Sequence, residues 1–185
     1  LIKELLKETE NHMKGTIEAT KKEFQAVRTG RANPNVLDRI TIEYYGTVTP
    51  LNQVAGVSVP DARMIVVQPW DKSVLGLIEK AIQKADLGLN PVNDGAVIRL
   101  PVPALTEERR KDLVKVIKKE AEEKKVVVRN LRRETNEKLK ALEKDHKLPE
   151  DEIKKATDDV QKLTDKYILE IEKLLEQKEK EIMEV

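Results

Sequence analysis

The stretch Val126-Val127-Val128-Arg129-Asn130-Leu131-Arg132-Arg133 carries the residue types best placed to do chemistry in this chain. From Lys124 to Lys140 there are seven basic residues (Lys124, Lys125, Arg129, Arg132, Arg133, Lys138 and Lys140) against two acidic ones (Glu134 and Glu137). That is a local charge of +5 in a chain of 185 residues whose net charge is +1. Such a segregation has two readings. A long exposed helix ordinarily pairs its charges with neighbours three or four positions away. Here few carboxylates stand close enough in sequence to neutralise Arg129, Arg132 and Arg133, and a planar guanidinium matches a phosphate better than an ammonium does. No aromatic residue is interleaved with the basic ones. The face therefore suits folded nucleic acid, read through its backbone and shape, better than stacked single-stranded bases. With Leu131 as the buried direction, Arg129 and Arg133 fall about 160° away on either side at ~100° per residue, and Lys125, Asn136 and Lys140 point outward. Arg28 and Arg31 flank Gly30, and Arg109-Arg110-Lys111 opens a predicted helix. Cations at a helix N-terminus oppose its dipole, so Arg109 and Arg110 are expected to face a partner or an acidic neighbour.

No catalytic constellation accompanies these groups. The two histidines, His12 and His146, are expected on helix surfaces and have no metal-ligand companion at useful spacing. Neither G-x-x-x-x-G-K nor G-x-G-x-x-G occurs. Carboxylates are abundant, but on helices they serve solubility and ion pairing rather than paired acid–base work. Cysteine is absent, which removes thiolate metal sites and disulfides. Trp70 and Tyr44-Tyr45 are expected in a core or at a domain interface, not in a ligand cage. No apolar run approaches the ~18 residues of a membrane span, and Leu1-Ile2-Lys3-Glu4 is too polar to begin a signal peptide.

The elements that must position these residues follow from periodicity. Ile2, Leu6, Thr9, Met13, Thr16, Thr20, Phe24 and Val27 recur at near-heptad steps and predict a helix over 1–29, ended by Thr29-Gly30 and Pro34. Composition then changes: five of the seven glycines and seven of the eight prolines lie between residues 31 and 104. Arg39–Tyr45 alternates as a half-buried strand, Tyr45-Gly46-Thr47 turns into a second short one, and Met64–Val67 reads as a central strand. Asp71 caps a helix over Val74–Ile82, and Asn93-Asp94-Gly95 is a hairpin turn leading to Val97–Leu100. Pro101-Val102-Pro103-Ala104 is a stiff crossing to a helix capped by Thr106. Its stripe (Leu113, Ile117, Val128, Leu131, Thr135, Leu139, Leu142) runs ~60 Å at ~1.5 Å per residue. Pro149 opens a third helix with the stripe Val160, Leu163, Tyr167, Ile171, Leu174, Lys178, Ile182. The chain is thus expected to be α+β. An elongated three-helix bundle (1–29 and 106–185) carries an inserted β/α/β domain (31–104) on two linkers that permit hinge motion.

The order and spacing of several segments resemble bacterial ribosome recycling factor over essentially the whole chain. They are Arg28-Thr29-Gly30-Arg31-Ala32-Asn33-Pro34; Glu43-Tyr44-Tyr45-Gly46-Thr47; Asp86-Leu87-Gly88-Leu89-Asn90-Pro91; Leu105-Thr106-Glu107-Glu108-Arg109-Arg110-Lys111; Val128-Arg129-Asn130-Leu131-Arg132-Arg133; and Asp158-Asp159-Val160-Gln161-Lys162-Leu163-Thr164-Asp165. Leu148-Pro149 departs from the family's usual small capping residue. The resemblance implies an L-shaped, hinged, monomeric cytoplasmic translation factor, not an enzyme, without cofactor or metal. It implies binding to the post-termination ribosome and separation of the subunits with elongation factor G and its GTP hydrolysis. It further implies that Arg28, Arg31, Arg110, Arg129, Arg132 and Arg133 contact 23S rRNA of the large subunit. Thr29, Gly30 and Arg31, with Val102, Pro103 and Ala104, would form the hinge, and neither DNA nor a membrane would be a partner. A structural helical-bundle adaptor for another folded RNA or protein is the alternative. It would explain the three apolar stripes but neither the insertion nor the local +5.

Overall fold

The computed structural model describes residues 1–146 and 148–184. The chain divides into two compact units, Leu1–Thr29 with Glu107–Val185, and Gly30–Thr106.

The first unit is built from α1 (Ile2–Ala26), α3 (Glu107–His146) and α4 (Glu150–Met183), with α2 reserved for the inserted unit. α1 buries Thr9, Met13, Thr16, Ile17, Thr20 and Phe24, so much of its inner face is threonine. The hydroxyls of Thr9, Thr16 and Thr20 donate to the carbonyls of Leu5, His12 and Thr16, one turn back, which lets a polar residue be buried satisfied. α1 stops three residues earlier than the periodicity predicts: Val27 is already extended, at φ −80° and ψ 125°, while Gly30 takes the expected left-handed conformation at φ +76°. The β-branched Val27 leaves the helix more readily than an unbranched residue would. Pro149 stands at the N-cap of α4 without a side-chain cap, and Glu150, Asp151 and Glu152 fill the first turn, where the dipole favours them. Leu148 explains its own unusual presence there. It packs with Ile153, Leu139, Ala156 and Val160, and with Ile2, Leu5 and Leu6 of α1. A residue before the cap packed against one four positions into the helix is a hydrophobic staple, which fixes the entry angle that a small capping residue would otherwise set.

The second unit contains β1 (Thr41–Tyr44), β2 (Thr47–Pro50), β3 (Ala55–Asp61), β4 (Met64–Pro69), α2 (Leu75–Lys84), β5 (Val92–Asn93) and β6 (Ile98–Pro101). β1 and β2 form an antiparallel hairpin, and the other strands form a sheet in the order β3-β4-β6-β5. Central β4 and β6 pair Ile65 with Leu100 and Val67 with Ile98. These four residues join Ile78 and Ile82 of α2 and Ile42 of β1 in one buried cluster. Asp71 accepts from Ser73 N at 3.0 Å and starts a short 3-10 turn that runs into α2. The β5–β6 connection is a four-residue loop rather than a tight two-residue turn, because Asn93 pairs with Ile98. The Asp94 carboxylate accepts from Ala96 N and Val97 N.

One strand carries no periodic signal, and two aromatic residues expected in a core are outside it. β3 is mostly exposed and carries Gly56 and Pro60; as an edge strand it tolerates both. Trp70 and Tyr45 lie outside the core at 71% and 86% exposure, while Tyr44 is half-buried. Tyr45 occupies the β1–β2 turn at φ +49°, next to Gly46 at φ +77°, and a turn with two positive φ values projects its side chains away from the sheet.

Candidate nucleic-acid interface

α3 buries Leu113, Ile117, Ala121, Lys125, Val128, Thr135 and Leu139. This line differs from the one expected. Leu131, taken as the buried direction, is only half-buried, and Lys125, expected to point outward, is 9% exposed; Val126 and Val127, outside the expected stripe, are exposed. A lysine can occupy the line because its methylene stem packs while its ammonium reaches the edge. Lys125 Nζ meets Glu122 Oε1 at 3.2 Å and Glu172 Oε1 of α4 at 3.3 Å. On the other side of the helix, Lys124 Nζ meets Glu23 Oε1 of α1 at 2.8 Å.

This geometry re-aims the arginines. Measured from Val128 at ~100° per residue, Arg132 falls about 40° round the helix, Asn136 about 80°, Arg129 about 100°, Lys140 about 120° and Arg133 about 140°. All lie on the α4 side, the side of Lys125, so the basic residues form one flank instead of straddling the outer pole. Arg133 and Lys140 are exposed, and Arg129, Arg132 and Asn136 half-buried. Arg132 Nη1 donates to Gln161 Oε1 of α4 at 3.3 Å, and Gln161 Nε2 donates to Asp165 Oδ1 at 2.9 Å. The Asn136 Oδ1 in the same flank is shielded and has no hydrogen-bond partner among the described residues. Periodicity alone missed Gln161 and Asp165. The signal that finds them is the spacing of seven in Lys118, Lys125 and Arg132 on α3.

The remaining residues are placed as follows. Arg110 lies in the first turn of α3, half-buried, its Nε shielded and without a hydrogen-bond partner among the described residues. Arg109 is exposed beside it. In the first unit Arg28 is exposed just beyond α1; in the second Arg31 is exposed beside Gly30. A Cβ at Gly30 would lie 3.2 Å from Leu105 Cγ and 3.3 Å from its backbone N, so both ends of the inserted unit meet at this glycine. Val102 N donates to Arg63 O at 2.8 Å, while Pro103 and Ala104 are exposed. His12 and His146 are exposed. Among the described residues no group of three or more His, Asp or Glu side chains could hold a metal ion, and no helix is long and apolar enough to cross a membrane.

Chemically, the flank offers guanidinium and ammonium donors on a rigid helix and has no nucleophile–base pair; its donors suit anionic oxygens. Fold and flank together define a discontinuous three-helix scaffold with an inserted sheet-and-helix unit and one basic side. Residues 20–183 match the family model described as ribosome recycling factor. The chain is 59% identical to the ribosome-recycling factor of Heliobacterium modesticaldum over 185 residues, covering 100% of both. It is 57% identical to that of Bacillus subtilis over 183 residues, covering 99% of both. A solution structure of the ribosome recycling factor superposes with a TM-score of 0.77 at 47% identity, covering 100% of this chain and 98% of the other. A second match has a TM-score of 0.63 at 49% identity and covers 100% of both chains. It is the Thermus thermophilus factor placed, with Escherichia coli elongation factor G, on the E. coli post-termination complex. The chain belongs to the ribosome recycling factor family.

Proposed function

We propose that this chain binds the post-termination ribosome and, with elongation factor G and its GTP hydrolysis, separates the subunits for reuse. The observation that carries this is the full-length match to ribosome-recycling factors. The basic flank of α3 gives the match a physical content. Arg129, Arg132 and Arg133, with Arg28, Arg31 and Arg110, contact phosphates of 23S rRNA in the large subunit, and Arg132 is the foremost of them. A 40-residue helix braced by two others resists bending, so it transmits force without storing it. The chain crosses between units only twice, at Thr29–Gly30 and Thr106–Glu107. Thr29, Gly30 and Arg31, with Val102, Pro103 and Ala104, act as the hinge through which elongation factor G moves the inserted unit. The protein works as a monomeric cytoplasmic strut and leaves the bond-breaking step to the GTPase.

The test is subunit separation itself. Post-termination ribosomes incubated with the chain, elongation factor G and GTP should sediment as subunits, and omission of any one should leave them joined. Separation no faster with the chain than without it would refute the reading. Arg132→Ala should weaken large-subunit binding while leaving helix content intact, and the loss should shrink as salt rises, because phosphate contacts release counterions.

A further inference from the structure

The ion pairs that cross from α3 to α4 recur every seven residues, and the series breaks at one point. Lys118 Nζ meets Glu179 Oε1 at 3.8 Å, and Lys125 Nζ meets Glu172 Oε1 at 3.3 Å. In an antiparallel pair, one heptad up α3 corresponds to one heptad down α4. The next rung therefore joins Arg132 to Asp165. That rung is bridged, not closed: Arg132 donates to the Gln161 amide oxygen at 3.3 Å, and the Gln161 amide nitrogen donates to Asp165 at 2.9 Å. The amide can point only one way, since a guanidinium only donates and a carboxylate only accepts.

We propose that Gln161 is a positioning residue that intercepts the Arg132–Asp165 ion pair and so keeps the Arg132 charge available to a phosphate. The proposal rests on the reading of Arg132 as an RNA contact. At the two preceding rungs a carboxylate neutralises a lysine. At this one a neutral amide takes a single N–H of the guanidinium and leaves the rest of its fork, and its full positive charge, for another anion. The same amide engages the carboxylate that would otherwise compete with that anion. This gives a role to Gln161 and Asp165 in the Asp158–Asp165 segment, which apolar periodicity does not explain. Gln161 and Asp165 are exposed, so the arrangement contributes little to folding and its effect belongs to the interface.

The experiment measures equilibrium binding of the full chain to isolated large ribosomal subunits over a series of salt concentrations. Its variants are Arg132→Ala, Gln161→Met, Gln161→Met with Asp165→Asn, and Gln161→Met with Arg132→Ala, each checked for helix content. Arg132→Ala should weaken binding and reduce the salt slope by about one phosphate contact. Gln161→Met should weaken it about three- to tenfold, as Asp165 closes on Arg132. Adding Asp165→Asn should restore most of the loss, and Gln161→Met should cost nothing further once Arg132 is alanine. If Arg132→Ala binds like the parent, the RNA-contact reading itself fails. If Arg132→Ala is weakened and Gln161→Met is not, interception alone is overturned. A Gln161→Met defect that persists without Arg132, or that Asp165→Asn does not relieve, also overturns it.

Discussion

Thr9 and Thr135 share a buried contact of 2.6 Å between their hydroxyl oxygens, linking α1 to α3. Thr9 also donates to Leu5 O at 2.9 Å. A hydroxyl has one proton, so Thr135 must be the donor between the two. The substitutions are therefore unequal. Thr135→Val removes a donor from an oxygen whose own proton is already placed, and should cost about 1 kcal/mol. Thr9→Val leaves a buried O–H without its acceptor and should cost more, about 1–3 kcal/mol. The double variant should lose less than the two singles together, measured as a double-mutant cycle by chemical denaturation followed through helix circular dichroism. Additive losses would mean the contact carries no coupling. Glu120 provides a second residue-scale test. Burial, reinforced by Glu23 and Glu123 and opposed by Lys124, pushes its carboxyl above the ordinary glutamate value. The folded state thus holds this proton to higher pH than the unfolded chain does. Its contribution to stability is favourable in acid and is lost as pH rises from the ordinary value through the raised one. Glu120→Gln should therefore be more stable than the parent at neutral pH, by about 0.5 kcal/mol after solvent screening. The gap should close as the pH falls below the glutamate range. A gap independent of pH would remove the charge explanation.

Gly30 and Gly46 show how an element's ends set its tolerance. Both have left-handed φ, +76° and +77°. A Cβ at Gly46 would meet nothing within 4 Å, whereas at Gly30 it would crowd both the side chain and the backbone N of Leu105. Gly46→Ala should cost about 1 kcal/mol from backbone conformation alone, and Gly30→Ala measurably more. Trp70, the chain's one tryptophan, lies in the inserted unit and reports its unfolding by fluorescence. Equal losses at the two glycines would show that Leu105 gives way. Elements with strong local chemistry are legible in the sequence: the stripes of α1 and α4, the Asp71 start of α2, the β1–β2 turn and the central β4. What escaped was decided by tertiary environment. β3 shows no alternation because most of it faces solvent. The buried line of α3 runs through Lys125 and Ala121 instead of Leu131, and Glu172 of α4 stands 3.3 Å from the lysine's ammonium to hold it at the edge. Pattern and resemblance together point to six arginines. That Arg129, Arg132 and Arg133 share one flank became visible only when the helix's true buried line was known.

At the scale of the whole molecule the charge is nearly balanced, 35 basic against 34 acidic residues. A protein of net charge +1 has little long-range attraction for ribosomal RNA, and exposed charges are screened beyond about 8 Å at physiological salt. Affinity must then come from cations that reach phosphates, not from the total. Two triple variants with the same net charge separate these possibilities. Arg129→Ala, Arg132→Ala and Arg133→Ala together remove three cations from the α3 flank. Lys14→Ala, Lys21→Ala and Lys180→Ala together remove three cations that are exposed and held by Glu10, Glu18 and Glu176 within their own helices. Counterion release counts contacted phosphates, so the first variant should bind large subunits far more weakly, with a salt slope smaller by about three. The second should bind like the parent at physiological salt, with an unchanged slope. Equal weakening of both would show that net charge, rather than the placement of arginines beside Gln161, governs the encounter.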